Sequence, residues 1–167
     1  GTLVCSEDSI SDKKIVTGVA ASTNDAKLTL TGIKDKPGVA AEILGTLAEN
    51  NINVDMIVQN ITDDGKFASI TFTVPLDDCK RAVRVLRDSK IKFKKIFFDT
   101  KICKISIVGV GMKSNVGVAQ VMFETLAKKN INIKVISTSE IKISVLIESH
   151  KKKIALNSLH KAYGLGS

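Results

Sequence analysis

The chain has 167 residues and a mass of 18.0 kDa, enough for one domain or two small ones. Its hydrophobic content of 44% is that of a globular protein, and no run approaches the roughly 18 apolar residues of a membrane span, so no membrane partner is expected. The formal charge of +8 is dispersed, aromatics are only 4% and Trp is absent, which argues against a nucleic-acid partner: single-strand RNA readers need stacking aromatics on a sheet face.

Residues 1–13 are polar and irregular and are expected to form a linker or tail. Lys14 to Ala20 is a short strand, and Ser22-Thr23-Asn24-Asp25 a turn. Ala26 to Ile33 is a strand with Leu28 and Leu30 on one face. Asp35-Lys36-Pro37-Gly38 breaks it, and Pro37 suits the first turn of a helix, where its missing N–H costs nothing. Ala40, Ile43, Leu44 and Leu47 then form a helical stripe, which Asn50-Asn51 ends. From Ile52 to Val58 apolar residues alternate with Asn53 and Asp55, as in a half-buried strand. Asp63-Asp64-Gly65 predicts a hairpin turn, and Ala68, Ile70, Phe72 and Val74 alternate in the return strand. After Pro75, Asp77-Asp78 favour a helix N-terminus, with Cys79, Ala82, Val83 and Leu86 as its buried stripe. Ile91 to Phe98 reads as a fourth strand.

The course then repeats. Gly38-Val39-Ala40 through Asn51-Ile52-Asn53 realigns without a gap on Gly117-Val118-Ala119 through Asn130-Ile131-Asn132, and Gly32 falls on Gly111. Two copies of one folding unit are implied. In the second copy, Ile102 to Val108 is a strand and Val118 to Lys129 a helix. Ile131 to Ile136 and Ile141 to Ile147 are strands joined through Ser137 to Glu140. Lys151 to Tyr163 is a helix with Ala155, Leu159 and Ala162 inward. No fourth strand follows. The early strand at Lys14 to Ala20 can supply it, or can simply extend the first sheet; the exchange leaves fewer unpaired edges. The expected fold is α+β: two ferredoxin-like βαββαβ domains, the first (26–98) inserted in the second (14–21 plus 101–167), each with an antiparallel sheet covered by helices on one face.

Catalytic patterns are missing. Cys5, Cys79 and Cys103 have no spacing that suggests a disulfide framework or zinc site, and buried thiols in a reducing, cytoplasmic setting are expected. His150 and His160 have no spaced carboxylate or thiol partners, so no metal is expected. Gly109-Val110-Gly111 opens a dinucleotide pattern whose third glycine would fall on Ser114, so that reading fails. A small enzyme on this fold would need a constellation that is not there. No signal peptide opens the chain, and its first residue is Gly1 rather than Met, as expected of a fragment of a longer protein or of a tag remnant.

Each strand-to-helix turn offers free backbone N–H groups to a carboxylate. Asp35, just before the first such turn, could take an ammonium group, and Asn53, Asp55, Gln59 and Thr62 add polar groups nearby. N–H groups beside a carboxylate fit a free α-amino acid. Helix capping accounts for Asp35, and a surface amide for Gln59, about equally well.

Longer runs carry a resemblance. Val16-Thr17-Gly18-Val19-Ala20, Asp35-Lys36-Pro37-Gly38, Asn53 through Asn60, Val108 through Met112 and Ile136 through Val145 closely resemble the tandem ACT domains of the aspartate kinase regulatory region, which some bacteria make as a separate β subunit. The resemblance covers nearly the whole chain. It implies binding of free lysine, threonine or both, feedback on the phosphorylation of aspartate, a homodimer through the ACT domains, and a catalytic domain or α subunit as partner. It places effector contacts at Asp35, Gly38, Val39, Ala40, Asn53, Val54, Gln59 and Thr62 in copy one, and at Ser114, Gly117, Val118, Ala119, Asn132 and Ile133 in copy two. ATP and Mg would belong to the parent kinase domain. Its Lys-Phe-Gly-Gly nucleotide motif is absent here, so no cofactor and no catalysis are expected of this chain. The second turn usually reads Ser-His-Pro-Gly in the family but is Ser114-Asn115-Val116-Gly117 here, which loosens it. The alternative class is a basic ferredoxin-like nucleic-acid-binding protein, whose binding would fall steeply with salt.

Overall fold

A computed structural model describes residues 16–110 and 116–165. The chain divides into two compact units. One is Asn24–Ile102, and the other combines the chain through Thr23 with the chain from Cys103 onward.

In the first unit, β2 (Asp25–Lys34) leads to α1 (Val39–Glu49), then β3 (Asp55–Ile61), β4 (Phe67–Pro75), α2 (Cys79–Arg87) and β5 (Lys95–Asp99). The antiparallel sheet has the order β3-β4-β2-β5. Alternation along β2 and β4 sends Ala26, Leu28, Leu30, Ile70, Phe72 and Val74 to one face, where they meet Val39, Ile43 and Leu47 of α1 and Cys79, Ala82, Val83 and Leu86 of α2. The α2 stripe is the one the sequence predicts.

In the second unit, β6 (Ile102–Gly109), α3 (Val116–Lys128), β7 (Val135–Thr138), β8 (Lys142–Glu148) and α4 (Lys152–Ala162) follow the same course. Its sheet has the order β1-β6-β8-β7, where β1 is Val16–Ser22. β1 pairs antiparallel with β6, and Val16 is 2% exposed within that unit's core. The early strand therefore occupies the place of the missing fourth strand, and the first unit is inserted in the second. Lys14, which the sequence puts in this strand, lies outside the described residues.

The shared run has a local cause. Asn51 and Asn130 both sit in left-handed conformation, at φ 57 and φ 58, two residues past a helix end. The Ile52 N–H donates to the Leu47 carbonyl and the Asn51 N–H to that of Ala48; Ile131 and Asn130 do the same to Leu126 and Ala127. Leu-Ala-x-x-Asn-Ile is thus one helix stop used twice: asparagine tolerates the left-handed turn, and the isoleucine returns to pack on the core near the leucine.

Several elements differ from the sequence reading. Pro37 is not in the first helical turn; Gly38, at φ 90, is the N-cap and α1 begins at Val39. β3 begins at Asp55, β5 at Lys95 and β7 at Val135, so Asn53, Ile91 to Lys94, Asn132 and Ile133 precede their strands. In these segments alternate residues are buried, which mimics a strand, but they lie ahead of the paired register. Ala162 is exposed and Tyr163 is buried instead, because the stripe from Ala155 and Leu159 continues by four.

A bulge in β2 sets the entry to α1. Leu30 faces Ile70 and Ile33 faces Ala68, so one extra residue lies on β2. Gly32 takes φ +68 there, and a Cβ at this position would lie 2.3 Å from the Lys94 Cβ. Gly32→Ala is expected to destabilise the first unit by about 2 kcal/mol or more, adding left-handed strain to a clash. A denaturation midpoint within error of wild type would contradict this. Deleting residues 1–22 removes an edge strand and bares β6. Hydrogen exchange is expected to show lost protection in β6 and β8 and retained protection in β2 and β4; the opposite pattern would contradict the exchanged strand.

Candidate functional site

The strand-to-helix turn of the first unit opens on a cleft of about 400 Å³. Asp35, Pro37, Gly38, Val39, Ala40 and Gln59 line it, over Ile33, Ala68 and Ile70. The main chain holds the turn in place. The Asp35 N–H donates to the Lys66 carbonyl at 3.0 Å, tying the turn to the loop between β3 and β4. The first helical bond runs from the Glu42 N–H to the Gly38 carbonyl at 2.9 Å. No side chain caps the helix at Gly38. The Val39 N–H donates to the Lys36 carbonyl at 3.5 Å, which leaves the Ala40 and Ala41 N–H groups as the first-turn donors without intrahelical partners, at the positive end of the helix dipole. Asp35 and Gln59 are exposed, Val39 is buried and Ala40 half-buried. The cleft thus joins first-turn N–H donors, the Asp35 carboxylate, the Gln59 amide and two lysines, Lys34 and Lys36, over an apolar floor.

Three of the copy-one candidates are elsewhere. The Thr62 hydroxyl donates to Asp64 Oδ1 at 2.6 Å and accepts from the Phe67 N–H at 3.2 Å, so it closes the hairpin at Asp63-Asp64-Gly65 instead of lining the cleft. The Thr62 hydroxyl, followed by the Lys66 N–H, holds the Asp64 carboxyl below the ordinary carboxylate range. Asn53 and Val54 line a separate hollow of about 580 Å³ at the other end of α1, with Ala48, Asn51 and Ile57. An 11-residue helix puts its two ends roughly 15 Å apart, too far for one small ligand to touch both within a unit.

In the second unit, Ser114 lies outside the described residues. Gly117 and Ala119 are half-buried. Val118 is 1% exposed, and its carbonyl accepts a 2.6 Å hydrogen bond from the Tyr163 hydroxyl. Its place is therefore in the core. Asn132 is exposed and Ile133 half-buried, both ahead of β7 where the sequence reading has them on the strand. Tyr163 went unpredicted; its spacing of four from Leu159 is the signal that could have found it.

His150 departs from expectation, since its Nε2 lies 3.3 Å from Glu148 Oε2; both side chains are largely exposed. Among the described residues no group of three or more His, Cys, Asp or Glu could hold a metal. Burial pushes the Cys79 thiol up, away from the nucleophilic thiolate. No helix among the described residues is long and apolar enough to cross a membrane.

The fold has close relatives. The ACT domain family model matches residues 28–89 and 105–163. Aspartate kinase of Pseudomonas putida is 46% identical over 168 residues, covering 99% of this chain and 41% of that protein, so the chain spans about two fifths of the length of such curated relatives. A crystal structure of aspartokinase alpha and beta subunits matches with TM-score 0.82 and 47% identity, over 90% of this chain and 99% of the matched one. The ligand-free regulatory subunit of aspartate kinase from Thermus thermophilus matches with TM-score 0.84 and 38% identity, over 89% and 99%. These matches leave the nucleic-acid alternative without support. Two ACT domains in one chain, matched end to end by regulatory subunits of aspartate kinases, place this chain in the ACT-domain family as an aspartate kinase regulatory region.

Proposed function

We propose that the chain senses free lysine, threonine or both, and passes their occupancy to an aspartate kinase catalytic domain or subunit that carries ATP and Mg. The observation that supports this is the cleft at the start of α1, where uncapped N–H groups and the Asp35 carboxylate sit together. An α-amino acid carries the complementary pair, a carboxylate for the N–H groups and an ammonium for Asp35. Gln59 offers its amide to the side chain of the effector.

The cleft is half a site. Asp35 and Gln59 are exposed, and charged contacts gain strength only when water is excluded. Asn53 and Val54 lie at the other end of α1, too far along the same unit to close it. A second copy of the chain can bring such a segment over the cleft. The effector then lies between chains, and binding favours the dimer by mass action.

Calorimetry with each amino acid alone and with both is the test. Asp35→Ala is expected to cost about 2–5 kcal/mol of binding, because an enclosed ammonium loses its partner. Gln59→Ala is expected to cost only about 0.5–1.5 kcal/mol. Sedimentation should show ligand shifting wild type toward dimer. Wild-type affinity in Asp35→Ala together with unchanged assembly would place the ligand elsewhere.

A further inference from the structure

A second cleft in the first unit borders the same turn and shares Ile33, Lys34, Lys36 and Val39 with the first. Its volume is about 680 Å³, within the range of small-molecule sites. Lys34, Lys36, Lys90, Lys92 and Lys94 form its rim, with Glu42 as the only carboxylate among its lining residues. None of the five ammonium groups takes part in an ion pair among the described residues. Like charges gathered on a concave surface raise the local potential, and without an anion they repel one another.

The rim is built by the main chain. From Lys90 to Lys94 burial alternates: the three lysines are exposed, Ile91 is buried and Phe93 half-buried. The Lys94 N–H donates to the Thr31 carbonyl at 2.7 Å, and its Cβ occupies the space that Gly32 leaves open. The bulge that shapes the α1 turn therefore also fixes the lysine row. The floor is apolar, made by Ile33, Val39, Ile91 and Phe93, and Phe67, 40% exposed, stands at its side.

We propose that this cleft binds a nucleoside polyphosphate, with its phosphate groups on the lysine rim and its base against Phe67 and the apolar floor. An inorganic anion would satisfy the rim and leave the floor wet. An uncharged aromatic would cover the floor and leave the ammonium groups unpaired. A nucleotide meets both requirements, since its base offers a flat face for stacking and a cation–π partner for nearby lysines. This inference stands apart from the amino-acid reading: the two clefts share Ile33, Lys34, Lys36 and Val39, but Lys90, Lys92, Lys94 and Phe67 line this one alone.

The test is calorimetry on the full chain with ATP, inorganic tripolyphosphate and adenosine as separate probes. ATP is expected to bind more tightly than either of the others. The triple variant Lys90→Ala, Lys92→Ala, Lys94→Ala should weaken ATP binding roughly tenfold or more. The control Lys151→Ala, Lys152→Ala, Lys153→Ala removes the same charge from the other unit and should leave binding unchanged. Amide shift mapping on wild type should place the perturbation at Gly32 to Lys36 and Lys90 to Lys94, whatever the stability of the variants. Absence of ATP binding, equal loss in both triple variants, tripolyphosphate as tight as ATP, or shifts confined to other residues would each overturn the proposal.

Discussion

The conformation of Gly38 governs the first unit's chemistry. At φ 90 it turns the chain from β2 into α1 without a side-chain cap. A side chain with a Cβ strains there, and a capping Ser or Asp would satisfy the N–H groups that the turn keeps free. Much of the unit serves to hold this turn. The Gly32 bulge shifts the inward face of β2 from Leu30 to Ile33, and the Asp35 N–H anchors on Lys66. The hairpin carrying Lys66 is locked by Thr62 and Asp64. Thr62 therefore acts on the cleft at one remove, by fixing the loop that fixes the turn.

The two copies share their helix stop and differ at their helix start. Asn51 and Asn130 end α1 and α3 with the same pair of hydrogen bonds. Core packing requires this stop in both units, because it returns Ile52 or Ile131 to the apolar interior. At the helix start Pro37 precedes Gly38, whereas Val116 precedes Gly117, and Val116 is already helical. Val118 then gives its carbonyl to Tyr163, a contact between α3 and the end of α4. Both starts set a valine in the core, Val39 and Val118, and the second adds the bond from Tyr163.

Apolar spacing made the architecture readable. The inward residues of β2, β4 and α2 are those that periodicity picks out, and counting strands pointed to β1 completing the second sheet, where it pairs with β6. Misplaced boundaries share one cause. Ile52 with Val54, and Ile91 with Phe93, alternate because they pack on the core, while β3 begins only at Asp55 and β5 at Lys95. Alternation reports burial; pairing depends on main-chain register, which composition does not encode. Asp35, Gly38 and Ala40 line one cleft because strand, turn and helix are adjacent in the chain, and Gln59 joins them through the pairing of β3 with β4. The displacement of Thr62, Asn53 and Val54 was not legible, since it depends on a local hydroxyl bond and on helix length. The lysine cleft was hidden for the same reason: Lys34 and Lys92 become neighbours only through the pairing of β2 with β5.

The central claim is that the open start of α1 receives a carboxylate. Amide shifts of a 15N-labelled chain test it most directly, with lysine compared against cadaverine, the same molecule without its carboxylate, and threonine titrated in parallel. The account predicts that an effector amino acid moves the amides of Ala40 and Ala41 toward a hydrogen-bonded position and that cadaverine leaves them in place. Equal shifts with lysine and cadaverine, or no shift at these amides with either amino acid, would contradict it.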